Sequence, residues 1–138
     1  MAHVLCIKEV ILSIEKIFKQ TILLNLFIFI GGCIYGAYIM PYDLEVETEI
    51  TAYEVVGLVL LVAYFYIIYL LYYFKPLGKT LFLPFTILSY LSSLYDPYDY
   101  FKNTDEFIYF LYGLSSLSTG VILTLLYLTE LKAKFDRQ

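Results

Sequence analysis

The sequence predicts an all-α integral membrane protein, a bundle of four transmembrane helices preceded by an amphipathic interfacial helix. Three observations predict this fold class. First, 61% of the 138 residues are hydrophobic and 16% are charged, whereas a soluble domain is about 45–50% apolar and about 25% charged. Second, four apolar stretches are each long enough to cross a hydrocarbon core about 30 Å thick. Third, the segments between them alternate in the sign of their charge.

The elements follow one another within a single domain, residues 1–138. Residues 1–19 can place apolar side chains on one helical face and charges on the other, which predicts a helix lying on the cytoplasmic leaflet or an extension of the first span. Helices are predicted because lipid cannot satisfy exposed backbone groups and the apolar runs are continuous rather than alternating. The four spans are expected at about 21–40, 53–74, 77–95 and 107–129.

The charges between these spans predict an orientation. Basic residues precede the first span, separate the second from the third and follow the fourth, whereas the other two loops are acidic. By the positive-inside rule, both termini are expected in the cytoplasm, most simply at a bacterial inner membrane. The net charge of −4 and the lack of a basic stripe with interleaved aromatic residues exclude nucleic-acid binding.

No motif in the sequence indicates catalysis, a cofactor or a metal. His3 is the only histidine, and Cys6 and Cys33 are the only cysteines, so the usual ligand sets for metals and haem are missing. Asp96 and Asp99 form the one carboxylate pair that could act as a catalytic dyad. Signal peptidase II resembles this arrangement in span number and outer aspartates, but its asparagine-containing motif blocks are absent. We therefore predict a protein that is not an enzyme.

A sequence that resembles a lipoprotein processing signal lies within the first predicted span. Residues 30–33, Ile-Gly-Gly-Cys, resemble the lipobox of bacterial lipoprotein signals, whose cleavage would leave Cys33 lipidated. The residues after Cys33, beginning with Ile34 and Tyr35, continue the apolar run instead of starting a polar tether. We therefore expect Cys33 to lie within an uncleaved span.

Small residues in two spans predict close helix packing. Gly32 and Gly36 form a GxxxG motif in the first span, and Ser116 and Gly120 have the same spacing in the fourth. Small residues let helix backbones approach closely, which matters because apolar burial does not drive association in lipid. We expect these four residues to form contacts, either within the four-helix unit or between copies of the chain.

Hydroxyl groups and outer carboxylates allow a second hypothesis. Hydroxyls could line a polar track through the membrane, and acidic residues could concentrate cations at its outer mouth. The predicted track is Tyr64, Tyr66, Ser89 and Thr119. The predicted acidic outer patch is Asp43, Glu45, Glu47, Glu49, Asp96 and Asp99.

The function expected from these features is non-catalytic. We expect a small subunit or effector that acts by helix–helix assembly, with membrane lipid around it and with copies of itself or other membrane proteins as partners. The alternative is a small oligomeric channel, pore or carrier that uses the hydroxyl track and the acidic mouth. The two hypotheses differ in whether the hydroxyls open onto a wet cavity or are satisfied by neighbouring groups.

Overall fold

A computed structural model describes residues 2–39, 52–93, 106–129 and 131–135, and these residues are helical apart from short turns. No strand occurs among them. An all-helical protein is therefore confirmed over the described chain. The helices are α1 (Ala2–Ile39), α2 (Ala52–Tyr72), α3 (Pro76–Ser93), α4 (Glu106–Leu128) and the short α5 (Lys132–Phe135).

The first helix follows one of the two alternatives for residues 1–19. Instead of an interfacial helix separate from the span at about 21–40, these residues extend the span, because α1 is continuous from Ala2 to Ile39. Neither proline nor glycine occurs before Gly31, so nothing in the sequence breaks the backbone hydrogen bonding near residue 20. At 1.5 Å per residue, α1 is about 57 Å long and exceeds the hydrocarbon thickness.

Three of the described helices are long and apolar enough to span a membrane. They contain the segments Leu12–Gly36, Val55–Tyr72 and Glu106–Leu128, which indicates an integral membrane protein. The remaining long helix, α3, has 18 residues and includes Lys79, Pro84 and several hydroxyl side chains, so it is less apolar than the other three.

The long helices pack side by side in antiparallel order. Along α1 and α4, Tyr35 contacts Phe107 near one end, Asn25 bonds to Ser118 further along, and Phe18 contacts Phe135 beyond the other end of α4. The principal contacts pair α1 with α4 and α2 with α3, and further contacts between α1 and α2 connect the pairs.

The turn between α2 and α3 packs against both α1 and α5. Phe74 adopts a left-handed conformation with φ of 57°, and the N–H of Lys75 donates to the carbonyl of Leu70 at 2.8 Å, as in a Schellman motif. A phenylalanine is unfavourable there, but its ring is buried and contacts Phe18 and Phe135, with centroid distances of 5.7 and 5.4 Å. Burial of the ring offsets the backbone strain.

Candidate functional site

A hydrogen-bond network that we call the Asn25 cluster connects α1, α2 and α4. It consists of Asn25, Tyr64, Ser115, Ser118 and Thr119. The Asn25 side chain, only 2% exposed, donates from Nδ2 to the Ser118 hydroxyl at 2.6 Å, to the Thr119 hydroxyl at 3.2 Å and to the Ser115 carbonyl at 3.3 Å. The Tyr64 hydroxyl donates to Asn25 Oδ1 at 2.7 Å. One amide side chain thus bonds to two other helices.

The three buried side chains of the cluster, Asn25, Tyr64 and Ser118, have their hydrogen-bond partners within the protein. The two amide protons of Asn25 share three acceptors, and the Ser118 hydroxyl donates a hydrogen bond to the Ser115 carbonyl at 2.8 Å. No buried side-chain nitrogen or oxygen among the described residues lacks a partner. Such a closed network can fix the register of three helices, because each bond links groups that are costly to leave unpaired in an apolar medium.

The structure brings together half of the predicted polar track. Tyr64 and Thr119 both belong to the Asn25 cluster. Tyr66 faces outward with 52% of its surface exposed, and Ser89 lies on α3 without a bond to the cluster. Two of the four residues therefore meet, at an amide that the prediction did not include.

The predicted packing residues lie in open surroundings. A Cβ placed on Gly36 or Gly120 would meet no heavy atom within 4 Å, and one on Gly32 would meet only Leu111, at 4.0 Å. Ser116 is exposed and accepts a 2.7 Å hydrogen bond from Tyr90 of α3. Within the described chain, these glycines do not bring helix backbones into contact.

Among the described glycines, the one with the closest neighbours is Gly78, near the start of α3. A Cβ on Gly78 would come within 2.8 Å of the Leu70 Cβ and 2.9 Å of the Leu71 nitrogen. The α2–α3 pair therefore requires glycine at this position. No small-xxx-small motif marks Gly78; the only sequence signal is its place two residues after Pro76, in the short connection between two apolar runs.

The outer side of α4 carries an open groove with a volume of about 600 Å³. Ser116, Gly120 and Thr124 repeat every four residues along it, so they form one line on the helix surface. The Thr124 hydroxyl donates to the Gly120 carbonyl of its own helix at 2.9 Å. We call this surface the α4 groove; it is lined by Gly113, Ser116, Leu117, Gly120, Val121, Thr124 and Leu125.

Several expectations from the sequence fall outside the described residues. The whole acidic outer patch does so: Asp43, Glu45, Glu47, Glu49, Asp96 and Asp99. Within the described chain, no three His, Cys, Asp or Glu side chains are grouped so that they could hold a metal ion. Cys33 is exposed and has a free thiol.

The Asn25 cluster was only partly foreseen from the sequence. Asn25 is the only amide side chain within the four predicted spans, and a lone amide in an apolar helix needs partners on neighbouring helices. That signal was present in the sequence and identifies the centre of the network. Comparison with known proteins adds no further identification: no family model, no curated protein and no solved structure matches this chain.

Proposed function

We propose that this protein is a non-catalytic membrane protein that acts by helix–helix assembly, as a subunit or effector of a homo- or hetero-oligomeric complex. The observation that carries the proposal is the α4 groove, a line of small residues on an exposed, apolar helix side. Gly120, at its centre, has no heavy atom within 4 Å of the point where a Cβ would lie. A second helix could approach this line closely, which is how helices associate where lipid surrounds them.

In this proposal all four long helices cross the membrane as a bundle. The course of α3 supports a fourth crossing. It begins beside Leu70 of α2, and its Tyr90 reaches Ser116 on α4. With 18 residues, α3 is about 27 Å long, close to the hydrocarbon thickness.

The proposed orientation has both termini in the cytoplasm of a bacterial cell, with the protein in the inner membrane. The α2–α3 turn and the segment after α4 both contact Phe18 of α1. The described lysines flank these three regions. Lysines at one end favour the cytoplasmic side for that end.

The Asn25 cluster favours assembly over the alternative, an oligomeric pore or carrier. A permeation path needs polar groups that can exchange their partners with a passing solute. The hydroxyls of Tyr64 and Ser118 are instead engaged within the protein. Tyr66 and Ser89 do not join them.

The mass of the protein and its co-purifying partners in mild detergent tests the proposal. We expect a discrete assembly for the native chain, and at least a roughly ten-fold weaker assembly for Gly120→Leu, because the leucine would fill the α4 groove. Gly57→Leu is the matched control, since Gly57 of α2 also has nothing within 4 Å of an added Cβ. A native chain that is monomeric and without partners contradicts the proposed function. Equal assembly of both variants contradicts the role of the α4 groove.

A further inference from the structure

Among the described side chains, those at the end of the molecule with the α2–α3 turn carry an excess of positive charge. Among the side chains described there, Glu15 is the only carboxylate, and it forms an ion pair with Lys134. We call this region the basic end; its lysines are Lys16, Lys19, Lys75, Lys79, Lys132 and Lys134.

Lys19 differs from the other lysines of the basic end in its surroundings. Its Nζ lies 4.8 Å from the centre of the Tyr72 ring and 5.4 Å from that of Phe74, and the residue is half-buried. No carboxylate among the described residues pairs with it. The two rings hold the ammonium group in place by cation–π attraction, but they leave its N–H donors without an anionic acceptor.

Tyr72 supplies a second donor beside this ammonium group. The residue is half-buried at the end of α2, and its hydroxyl makes no hydrogen bond to any described residue. The Lys19 ammonium group of α1 therefore lies against the Tyr72 ring of α2, with its Nζ 4.8 Å from the ring centre, at the junction of two helices. The ammonium group and the phenolic hydroxyl can both donate to one oxyanion.

The position of Tyr72 identifies the oxyanion. Tyr72 is the last residue of the apolar segment Val55–Tyr72, and tyrosines at span ends lie at the level of the lipid headgroups. Phosphate is the anionic group of the headgroup layer, and a basic site between helix ends complements its charge.

We propose that Lys19 and Tyr72 form a binding site for the headgroup phosphate of an anionic phospholipid. The Lys19 ammonium group provides the charge, the Tyr72 hydroxyl provides the second hydrogen bond, and Phe74 fixes the direction of the lysine side chain. The Lys134–Glu15 pair beside Phe74 is already neutral, so Lys19 carries the selectivity for an anion. This site does not depend on whether the protein assembles through the α4 groove.

Lipid titration of the purified protein in neutral detergent, read by native mass spectrometry, tests the site. The probes are phosphatidylglycerol and phosphatidylcholine with identical acyl chains. We expect phosphatidylglycerol to bind more tightly. Lys19→Gln should weaken its binding about ten-fold, because a charge-assisted hydrogen bond is lost. The same change should weaken phosphatidylcholine binding less, because the choline ammonium group already neutralises the phosphate of that lipid. Tyr72→Phe should weaken phosphatidylglycerol binding about three-fold, the loss of one hydrogen bond in a membrane protein.

The matched control is Lys132→Gln, which removes the same charge from an exposed lysine of the basic end. We expect it to change phosphatidylglycerol binding less than about two-fold, as for a solvated surface charge, and Lys19→Arg to retain binding. Equal losses in Lys19→Gln and Lys132→Gln would mean diffuse charge attraction and would overturn the site. Displacement of the lipid by excess inorganic phosphate would show that the site takes a free anion, and would overturn the lipid assignment.

Discussion

The α1–α4 and α2–α3 interfaces hold their helices together in different ways. In the first, the buried amide of Asn25 bonds to the hydroxyls of Ser118 and Thr119. In the second, the backbones approach so closely at Gly78 that no side chain fits between them. The two solutions appear in one chain because lipid supplies no hydrophobic drive between helices, so both polar bonds and close packing are needed.

Within the described chain, the GxxxG motif and the tightly packed glycine lie on different helices. The GxxxG motif lies in α1, but no atom of the described residues lies within 4 Å of a Cβ added to Gly36. The glycine that packs tightly lies in α3, outside any such motif. A small residue therefore permits a close approach without determining where one occurs.

The largest expected effect on stability is that of Asn25→Leu. Leucine has a similar branched shape to asparagine, but it removes the bonds to α4 and leaves the buried Tyr64 hydroxyl without its acceptor. We expect the free energy of unfolding to fall by about 3 kcal/mol, combining several interhelical bonds with one unsatisfied hydroxyl. Titration of the folded protein with a denaturing detergent measures this change.

A second substitution separates the loss of the interhelical bonds from the cost of the unpaired Tyr64 hydroxyl. Replacing Tyr64 by phenylalanine in the Asn25→Leu background removes the hydroxyl that the first change leaves unpaired. The double variant should be more stable than Asn25→Leu alone by about 1 kcal/mol or more. If the double variant is less stable, Tyr64 has found another partner and the network does not depend on Asn25.

The next largest effect is expected at the other interface, for Gly78→Ala. The new methyl group would meet the Leu70 Cβ and backbone of α2, which cannot move without separating the helices. We expect a loss of about 1–3 kcal/mol, the usual cost of overpacking, in the same detergent titration.

Gly57→Ala provides the matched control for this change. Gly57 lies in α2 with nothing within 4 Å of an added Cβ, so alanine should leave stability unchanged or raise it by up to about 1 kcal/mol through its better helix propensity. If Gly78→Ala and Gly57→Ala behave alike, the α2–α3 pair can separate at no cost, and close packing does not hold it.

The helices themselves could be predicted from the sequence because membrane thickness constrains them. The spans expected at about 53–74 and 107–129 correspond to Ala52–Tyr72 and Glu106–Leu128. The charges of residues 8–19 left two alternatives open, a surface helix or an extension of the first span. The continuous α1 agrees with the extension, since an uninterrupted helix only needs the absence of breaking residues.

The faces of the helices could not be predicted in the same way. Ser116 and Ser118 are two residues apart in α4, yet Ser118 is buried against Asn25 and Ser116 lies in the α4 groove. In a soluble protein a polar face marks the outside, but lipid makes the outside apolar as well, so hydropathy does not separate the two serines. Asn25 was not in the predicted polar track, but it differs from the serines because an amide in a span must find a partner on a neighbouring helix.

The smallest expected effect on stability is that of removing one hydroxyl from α4. It compares the side of α4 that faces Asn25 with the side that forms the α4 groove. Thr119→Val removes an acceptor of the Asn25 amide, and Thr124→Val removes a hydroxyl that bonds only to its own helix. Because Asn25 retains Ser118 and the Ser115 carbonyl, we expect Thr119→Val to cost about 0.6 kcal/mol, the average for an interhelical bond. Thr124→Val should leave the unfolding free energy unchanged within the error of the detergent titration.

The size of the Thr119→Val effect also decides how the Asn25 cluster works. If the two valine variants have equal stability, the 3.2 Å bond contributes nothing, and α1 and α4 are held by the shorter bond to Ser118 alone. If Thr119→Val instead costs about 2 kcal/mol or more, the bonds reinforce one another. In a polarised network, removal of one member costs more free energy than a single hydrogen bond contributes, because the remaining bonds weaken as well. In that case the α1–α4 interface behaves as one cooperative unit, whereas the α2–α3 interface is held by packing, at Gly78 and between rings such as Tyr64 and Phe85.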